Sequence, residues 1–235
     1  KILGLRILAV ILVSITLYST VSAYIGGSLT GLLELPLNPE PPGDAGLLSI
    51  YSGGAMAPFT GLLEPKLLQE VSKAPGVLVA WPESTTPCLA NGRPAIVRGV
   101  PDMWAQIYKP KTLSGAPFNG SSYSKAWVGA GLAGKLGVKP GDLIVLKPLF
   151  TRADAVLKVA GIIEAGPPYD YEVIVPLQVG YSLRGSSNPS VIRVVYDPGA
   201  ASPASILAFS GFIEEPGVGL PGELVRAATA LVHRG

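Results

Sequence analysis

Between Ile7 and Leu33 no charged side chain interrupts the chain, and Ile7 to Ile25 reads ILAVILVSITLYSTVSAYI. Ten branched aliphatic residues fill that window: Ile7, Leu8, Val10, Ile11, Leu12, Val13, Ile15, Leu17, Val21 and Ile25. Each contributes roughly −0.3 to −0.6 kcal/mol at a helix centre in lipid. Together they outweigh the hydroxyls of Ser14, Thr16, Ser19, Thr20 and Ser22, which can bond back to their own helix. About 20 such residues rising ~1.5 Å each cross a ~30 Å hydrocarbon core. The pattern predicts a transmembrane helix over residues 1–33, with the lipid bilayer as its first partner. Lys1 and Arg6 precede the run and the next charge is Glu34. That asymmetry sets the N-terminus in the cytoplasm and everything beyond about residue 27 outside. A secretory signal peptide is the competing reading, since Val21-Ser22-Ala23 resembles a small-residue cleavage site. The apolar stretch outruns the usual signal core of about 7–15 residues, which favours a retained anchor. A chain without an initiator Met is expected to be processed or a fragment.

Beyond the anchor the rhythm changes. Leu35 to Asp44 (LPLNPEPPGD) holds four prolines, so residues 34–46 are expected to form an extended, semi-rigid connector. Short apolar runs then alternate with turn residues. Strands are predicted at Leu47–Tyr51, Val77–Trp81, Cys88–Ala90, Pro94–Val100, Ser124–Val128, Leu143–Leu146, Ala155–Ile163, Glu172–Pro176 and Val191–Tyr196. Asn91-Gly92 between two of them is a strong hairpin signal. Helical spacing appears at Glu64–Lys73, Ser202–Phe209 and Gly222–Val232; in the first, Leu67, Leu68 and Val71 share a face and Pro65 suits the first turn. The strands lie too close together for a regular βαβ array, so the fold class is α+β.

Composition narrows the function classes. Formal net charge is +2, from 18 basic and 16 acidic residues, and no basic cluster with interleaved aromatics points to nucleic acid. Cys88 is the sole cysteine, which leaves no intrachain disulfide or thiolate metal site, and it is read as a small buried residue. His233 is the sole histidine, so Ser-His-Asp catalysis would need a residue near the C-terminus; Ser/Lys chemistry has no supporting motif. No catalytic residue, metal ligand or cofactor site is assigned, and the protein is expected not to be an enzyme. Gly (29) and Pro (23) exceed a fifth of the chain while hydrophobic residues reach 48%, which indicates a folded β-rich domain with stiff turns. Scarce Met and Cys with abundant Pro lean towards a thermophile.

Lys125–Leu146 imitates nucleotide-binding motifs. Gly129, Gly131 and Gly134 spell G-x-G-x-x-G after a strand, with Asp154 about twenty residues on. A dinucleotide unit needs a long helix after the glycines, and Gly137, Pro140 and Gly141 leave no room for one. Gly129 to Lys135 also fits G-x-x-x-x-G-K, yet Leu136 stands where a magnesium-binding hydroxyl is required. The structural reading is a short helix burying Leu132, Ala133 and Leu136, capped by Gly137 in the left-handed region.

The same segment carries a resemblance. AWVGAGLAGKLGVKPGDLIVL, then VLKVAGIIEAG, YEVIVPLQVGYSL and VIRVVYD, resemble the extracytoplasmic core of MacB/FtsX-type ABC transporter permeases. APGV (74–77), Trp81-Pro82, VRGVPDMW (97–104) and KTLSGAPF (111–118) agree in order, and the family also begins with a membrane helix. The resemblance implies a two-lobed domain over residues 47–235, with a β-rich lobe of about 80–180 inserted in a mixed α/β lobe. It implies a cell-membrane protein whose main domain is extracellular or periplasmic at the cell surface. It further implies a homo- or hetero-oligomer in which a cytoplasmic ABC ATPase, acting through the rest of the permease, drives work outside the bilayer without covalent chemistry. Family permeases carry three further spans that are not in these residues, so the chain is either a piece of a longer permease or a single-span reuse of the domain. A pilin-like filament or surface-assembly subunit is the rival, because such proteins also pair an apolar N-terminal helix with a β-rich domain.

Three residues remain as surface candidates. Asn119-Gly120-Ser121 is an N-glycosylation sequon. Tyr169 and Tyr171, after Pro167-Pro168, are candidate partner contacts, with aromatic caps on the β lobe as the alternative. Trp104 and Tyr108 read as core, and Asp102 and Glu164 receive no role.

Overall fold

The computed structural model describes residues 43–52 and 61–210, together with Thr16, Ser19 and Pro39. The ten aliphatics of the predicted span, most of the connector and the helix expected over 222–232 lie outside the described residues. Among the described residues no helix is long and apolar enough to cross a membrane. The chain divides into two compact units, Lys1–Pro36 and Leu37–Gly235, and the elements below all belong to the second.

A three-stranded antiparallel sheet is built first and last in the chain. Strand β1 (Gly46–Tyr51) pairs with the final strand, β9 (Val191–Tyr196), which pairs in turn with the N-terminal half of β2 (Val77–Ala90). Helices α1 (Pro65–Val71) and α5 (Pro203–Phe209) cover one face. Leu67 and Val71 of α1 and Ile206 of α5 meet Ile50, Ile192, Val194 and Tyr196 in one apolar layer. Ser202 opens α5 with a reciprocal capping box to Ser205, which satisfies amides that the first turn cannot.

Strand β2 then leaves this sheet. Residues Val77–Glu83 pair with β9, whereas Ser84–Ala90 pair with β3 (Arg93–Val100). Asn91 and Gly92 join them with φ of 49° and 80°, the left-handed pair that a two-residue hairpin needs. Strand β3 runs parallel to β8 (Glu172–Pro176), β8 antiparallel to β5 (Lys125–Gly129), and β5 parallel to β7 (Ala155–Glu164). The first half of β7 pairs with β6 (Leu143–Pro148), and β6 returns to Cys88–Ala90 of β2. These six pairings close a barrel, which removes free edges from the ring. Strand β4 (Lys111–Gly115) extends the far half of β7 outside the ring.

The barrel is filled by one face of each strand. Val97, Val128, Ile144, Leu146, Leu157, Val159, Val173 and Val175 point inward. Its ends are plugged by α3 (Ala130–Leu136), through Leu132 and Ala133, and by α4 (Leu177–Arg184), through Val179 and Leu183. Helix α2 (Asp102–Tyr108) and a 3₁₀ turn at Tyr169–Tyr171 pack outside, and with them the described part is a mixed α/β, strand-rich body.

Three departures from the sequence reading have physical causes. Strand β2 runs unbroken through Pro82 and Pro87; Pro82 has β9 alone beside it, and Pro87 turns its carbonyl to the Leu149 amide just past β6, so its missing N–H lies on that side and leaves the ladder with β3 intact. Strand β4 is almost wholly exposed and shows no alternation to read. Helix α4 is short and half-polar, so its periodicity spans barely two turns.

Candidate functional site

Two of the three glycines of the nucleotide look-alike, Gly129 and Gly131, have another task. A side chain on Gly129 would meet the Tyr169 carbonyl oxygen at 2.2 Å, and one on Gly131 would meet the Tyr171 ring at 2.5 Å. They are small because the 3₁₀ turn lies against them. Helix α3 spans seven residues and ends at Gly137, with φ 68°, as its sequence predicts. Among the described residues no group of three or more His, Cys, Asp or Glu converges as metal ligands would.

The densest polar chemistry lies where β2 passes from sheet to barrel. Four charged side chains are at most 1% exposed there: Glu83 on β2, Arg98 on β3, Glu172 on β8 and Arg193 on β9. Arg98 grips Glu172 with two parallel bonds, Nε to Oε2 at 2.5 Å and Nη2 to Oε1 at 2.7 Å. Its remaining nitrogen, Nη1, donates to Glu83 Oε2 at 2.6 Å, and Arg193 Nε donates to the same oxygen at 3.0 Å. Glu83 Oε1 accepts from Trp81 Nε1 at 3.0 Å and from the Tyr169 hydroxyl at 3.3 Å. Arg193 also donates to the Ser49 hydroxyl and, at 3.5 Å, to Tyr51. Two carboxylates and two guanidiniums thus neutralise one another in a dry site, and each carboxylate oxygen has a donor.

Local structure puts these groups on one face. In the parallel β3–β8 register Ile96 faces Glu172 and Arg98 faces Ile174, so Arg98 and Glu172 are diagonal neighbours on the same side. Trp81 lies opposite Arg193 in the β2–β9 ladder, and Glu83 follows two residues on, at the last step before β2 changes partner. The electrostatics follow from burial and pairing. Burial pushes the Glu83 carboxyl up, but Arg193 and Arg98 outweigh it and hold it below the usual carboxylate range. Burial alone would favour a neutral Arg98, yet Glu172 and Glu83 raise its affinity for the proton further. Glu83 and Arg98 each keep the charge that the other favours.

Aromatic rings enclose it. Tyr169 stands edge-on to Trp104 at 5.1 Å and to Tyr108 at 5.0 Å between ring centroids, and Trp81 meets Tyr108 at 6.1 Å. The Arg98 guanidinium lies 5.4 Å from the Tyr169 ring centroid. Burial pushes the Tyr108 phenol up to about 12. The four charged groups are paired with one another, while Trp104 Nε1 and the Tyr108 hydroxyl are buried beside them with no hydrogen-bond partner, and the arrangement fastens sheet to barrel.

The sequence candidates fall in different places. Tyr169 is fully buried as a ring of this cluster, which corrects the expectation that it contacts a partner. Tyr171 is 36% exposed, with the Lys135 ammonium 5.4 Å from its ring centroid. Asn119 is exposed on the loop between β4 and β5, and the ten aliphatics of the span are outside the described residues. Trp104 is core, Asp102 accepts a bond from the Gly120 amide at 2.5 Å, and Glu164 lies 3.7 Å from Lys111 at the surface. None of the four network charges was singled out from sequence. Their signal is a charge inside an apolar strand, in AIVRGV, VIRVVY and EVIVP: such a charge must find a partner in the core.

No protein-family model matches the chain, and no curated protein matches it. Solved structures do. The periplasmic region of MacB from Actinobacillus actinomycetemcomitans superposes with a TM-score of 0.50 at 12% identity, over 81% of this chain and 86% of that one. The extracellular domain of the ABC-type transporter YknZ from Gram-positive bacteria gives a TM-score of 0.47 at 15% identity, over 69% and 86%. The described part of the chain is a mixed α/β, strand-rich body with the fold of the periplasmic region of MacB, and the transmembrane helix expected before it lies outside the described residues.

Proposed function

We propose that this chain is the extracytoplasmic part of a MacB/FtsX-like ABC transporter permease, held to the membrane by residues 7–25. Its role is mechanical. A cytoplasmic ATPase hydrolyses ATP, membrane helices carry the motion outward, and this body performs work outside the bilayer without covalent chemistry. The observation that carries the reading is the likeness to the periplasmic region of MacB over 81% of the chain. The paired buried network supports it, because a body that passes on force needs its two halves fastened. The filament reading has no comparable support from the fold.

The experiment is fractionation of the native full-length gene product. The protein is expected to stay with the membrane through alkaline carbonate and to purify in detergent with an ABC ATPase. ATP hydrolysis by that complex in proteoliposomes should depend on the domain. Release by carbonate, or recovery as filaments without an ATPase, overturns the proposal.

A further inference from the structure

The sequon is more than a triplet in a loop. The Ser121 amide donates to Asn119 Oδ1 at 2.9 Å, closing an Asx turn, and the Ser122 amide donates to the Asn119 backbone carbonyl at 3.2 Å. The Gly120 amide donates to Asp102 Oδ1 at 2.5 Å, which ties the middle of the triplet to the start of α2. With Oδ1 drawn back onto the chain, planarity of the amide sends Nδ2 the opposite way, and Asn119 is exposed. A cleft of about 460 Å³ opens beside it, lined by Asp102, Pro117, Phe118, Asn119 and Lys125 among others. An apolar wall next to polar and charged groups suits a sugar, whose ring has C–H faces and a hydroxyl rim.

We propose that Asn119 carries an N-linked glycan, an inference that rests on the extracytoplasmic placement argued above. The donor class is a lipid-linked saccharide. A bond forms between Asn119 Nδ2 and the anomeric carbon, and the bond from that carbon to the carrier phosphate breaks. The phosphate leaves with the electron pair, and Nδ2 gives up one proton. The cleft then shelters the sugar nearest the chain.

The test uses the native protein from its own membranes. Trypsin cleaves after Lys111 and Lys125, releasing residues 112–125 as one peptide with Asn119 as its sole asparagine. That peptide should appear heavier by whole hexose or N-acetylhexosamine units, with fragment ions placing the mass on Asn119. Expressed in the same host, Ser121→Ala should return the bare mass and Ser121→Thr should keep the addition. A wild-type peptide found only in bare form overturns the proposal. A membrane-impermeant amine reagent on intact cells reads topology separately through the exposed Lys147 and Lys158. Labelled lysines with a bare Asn119 sink the glycan alone; unlabelled lysines sink the extracytoplasmic placement and the glycan with it.

Discussion

The barrel interior and the junction beside it are both closed to water, and they are filled with opposite chemistry. Inside the ring Val97, Ile144, Leu146, Val159 and Val173 pack together in one buried apolar cluster. At the junction the adjacent strands β2, β3, β8 and β9 aim Glu83, Arg98, Glu172 and Arg193 at one another. Aliphatic packing is non-directional and tolerates rearrangement that conserves volume. Paired charges hold only in one geometry, because each buried ion that loses its partner becomes a heavy penalty. The barrel therefore supplies cohesion, whereas the junction fixes how the sheet is set on the barrel. The contrast matters for a body proposed to pass on force, where a loose joint would absorb the motion.

The sharpest way to break this comparison is to make a conservative change in each region. Glu83→Gln keeps shape but leaves Arg98 and Arg193 facing a neutral group, and the expected cost is about 3–5 kcal/mol. Ile144→Val in the barrel removes one methylene, and the expected cost is about 0.5–1.5 kcal/mol. Urea unfolding of the two variants beside the wild type measures both. Equal costs would mean that the junction contributes no more than ordinary packing.

Part of this contrast is legible in the amino-acid sequence alone. The barrel strands announce themselves as short apolar runs such as LIVL and AVLKVAGII, and Asn91-Gly92 fixes the β2–β3 register. Helix α1 and the Gly137 cap are equally local, so their chemistry lies within a few residues. The junction is not local. Arg98 and Glu172 are 74 positions apart, and Glu83 and Arg193 are 110 apart. No pattern within a single segment records which distant charge answers another. Strand β2 hides for a related reason, since whether Pro82 and Pro87 are tolerable depends on what lies on the side of each missing N–H.

Acid sharpens the comparison at a smaller scale. The folded-state pKa of Glu83 lies below its unfolded value, so its contribution is present above the unfolded value and is lost as pH falls through the folded one. The urea midpoint of the wild type should therefore hold from pH 7 to about 5 and decline below the ordinary glutamate pKa of about 4.3. Ile144→Val should follow the same slope from a lower start. Glu83→Gln should decline less steeply, since one of the titrating groups is gone. Parallel slopes in all three proteins would show that Glu83 is not held ionised by its arginines.

The smallest signal asks whether the two regions open together. Cys88 lies on β2 inside the barrel at 1% exposure, and burial pushes its thiol up to about 12. A thiol reagent at pH 8 should leave the native protein unmodified except through opening of the ring. Glu83 stands five residues earlier on the same strand; its partner Arg98, and Glu172 which Arg98 also grips, sit on two other barrel strands. Losing the junction should therefore loosen the ring as well. At about a tenfold change per 1.4 kcal/mol, Glu83→Gln should speed Cys88 modification by about a hundredfold to a few thousandfold, while Ile144→Val should speed it by about tenfold at most. A Glu83→Gln protein with lower stability but unchanged Cys88 reactivity would mean that the barrel holds by itself. The ion network would then orient the sheet without supporting the ring whose strands it shares.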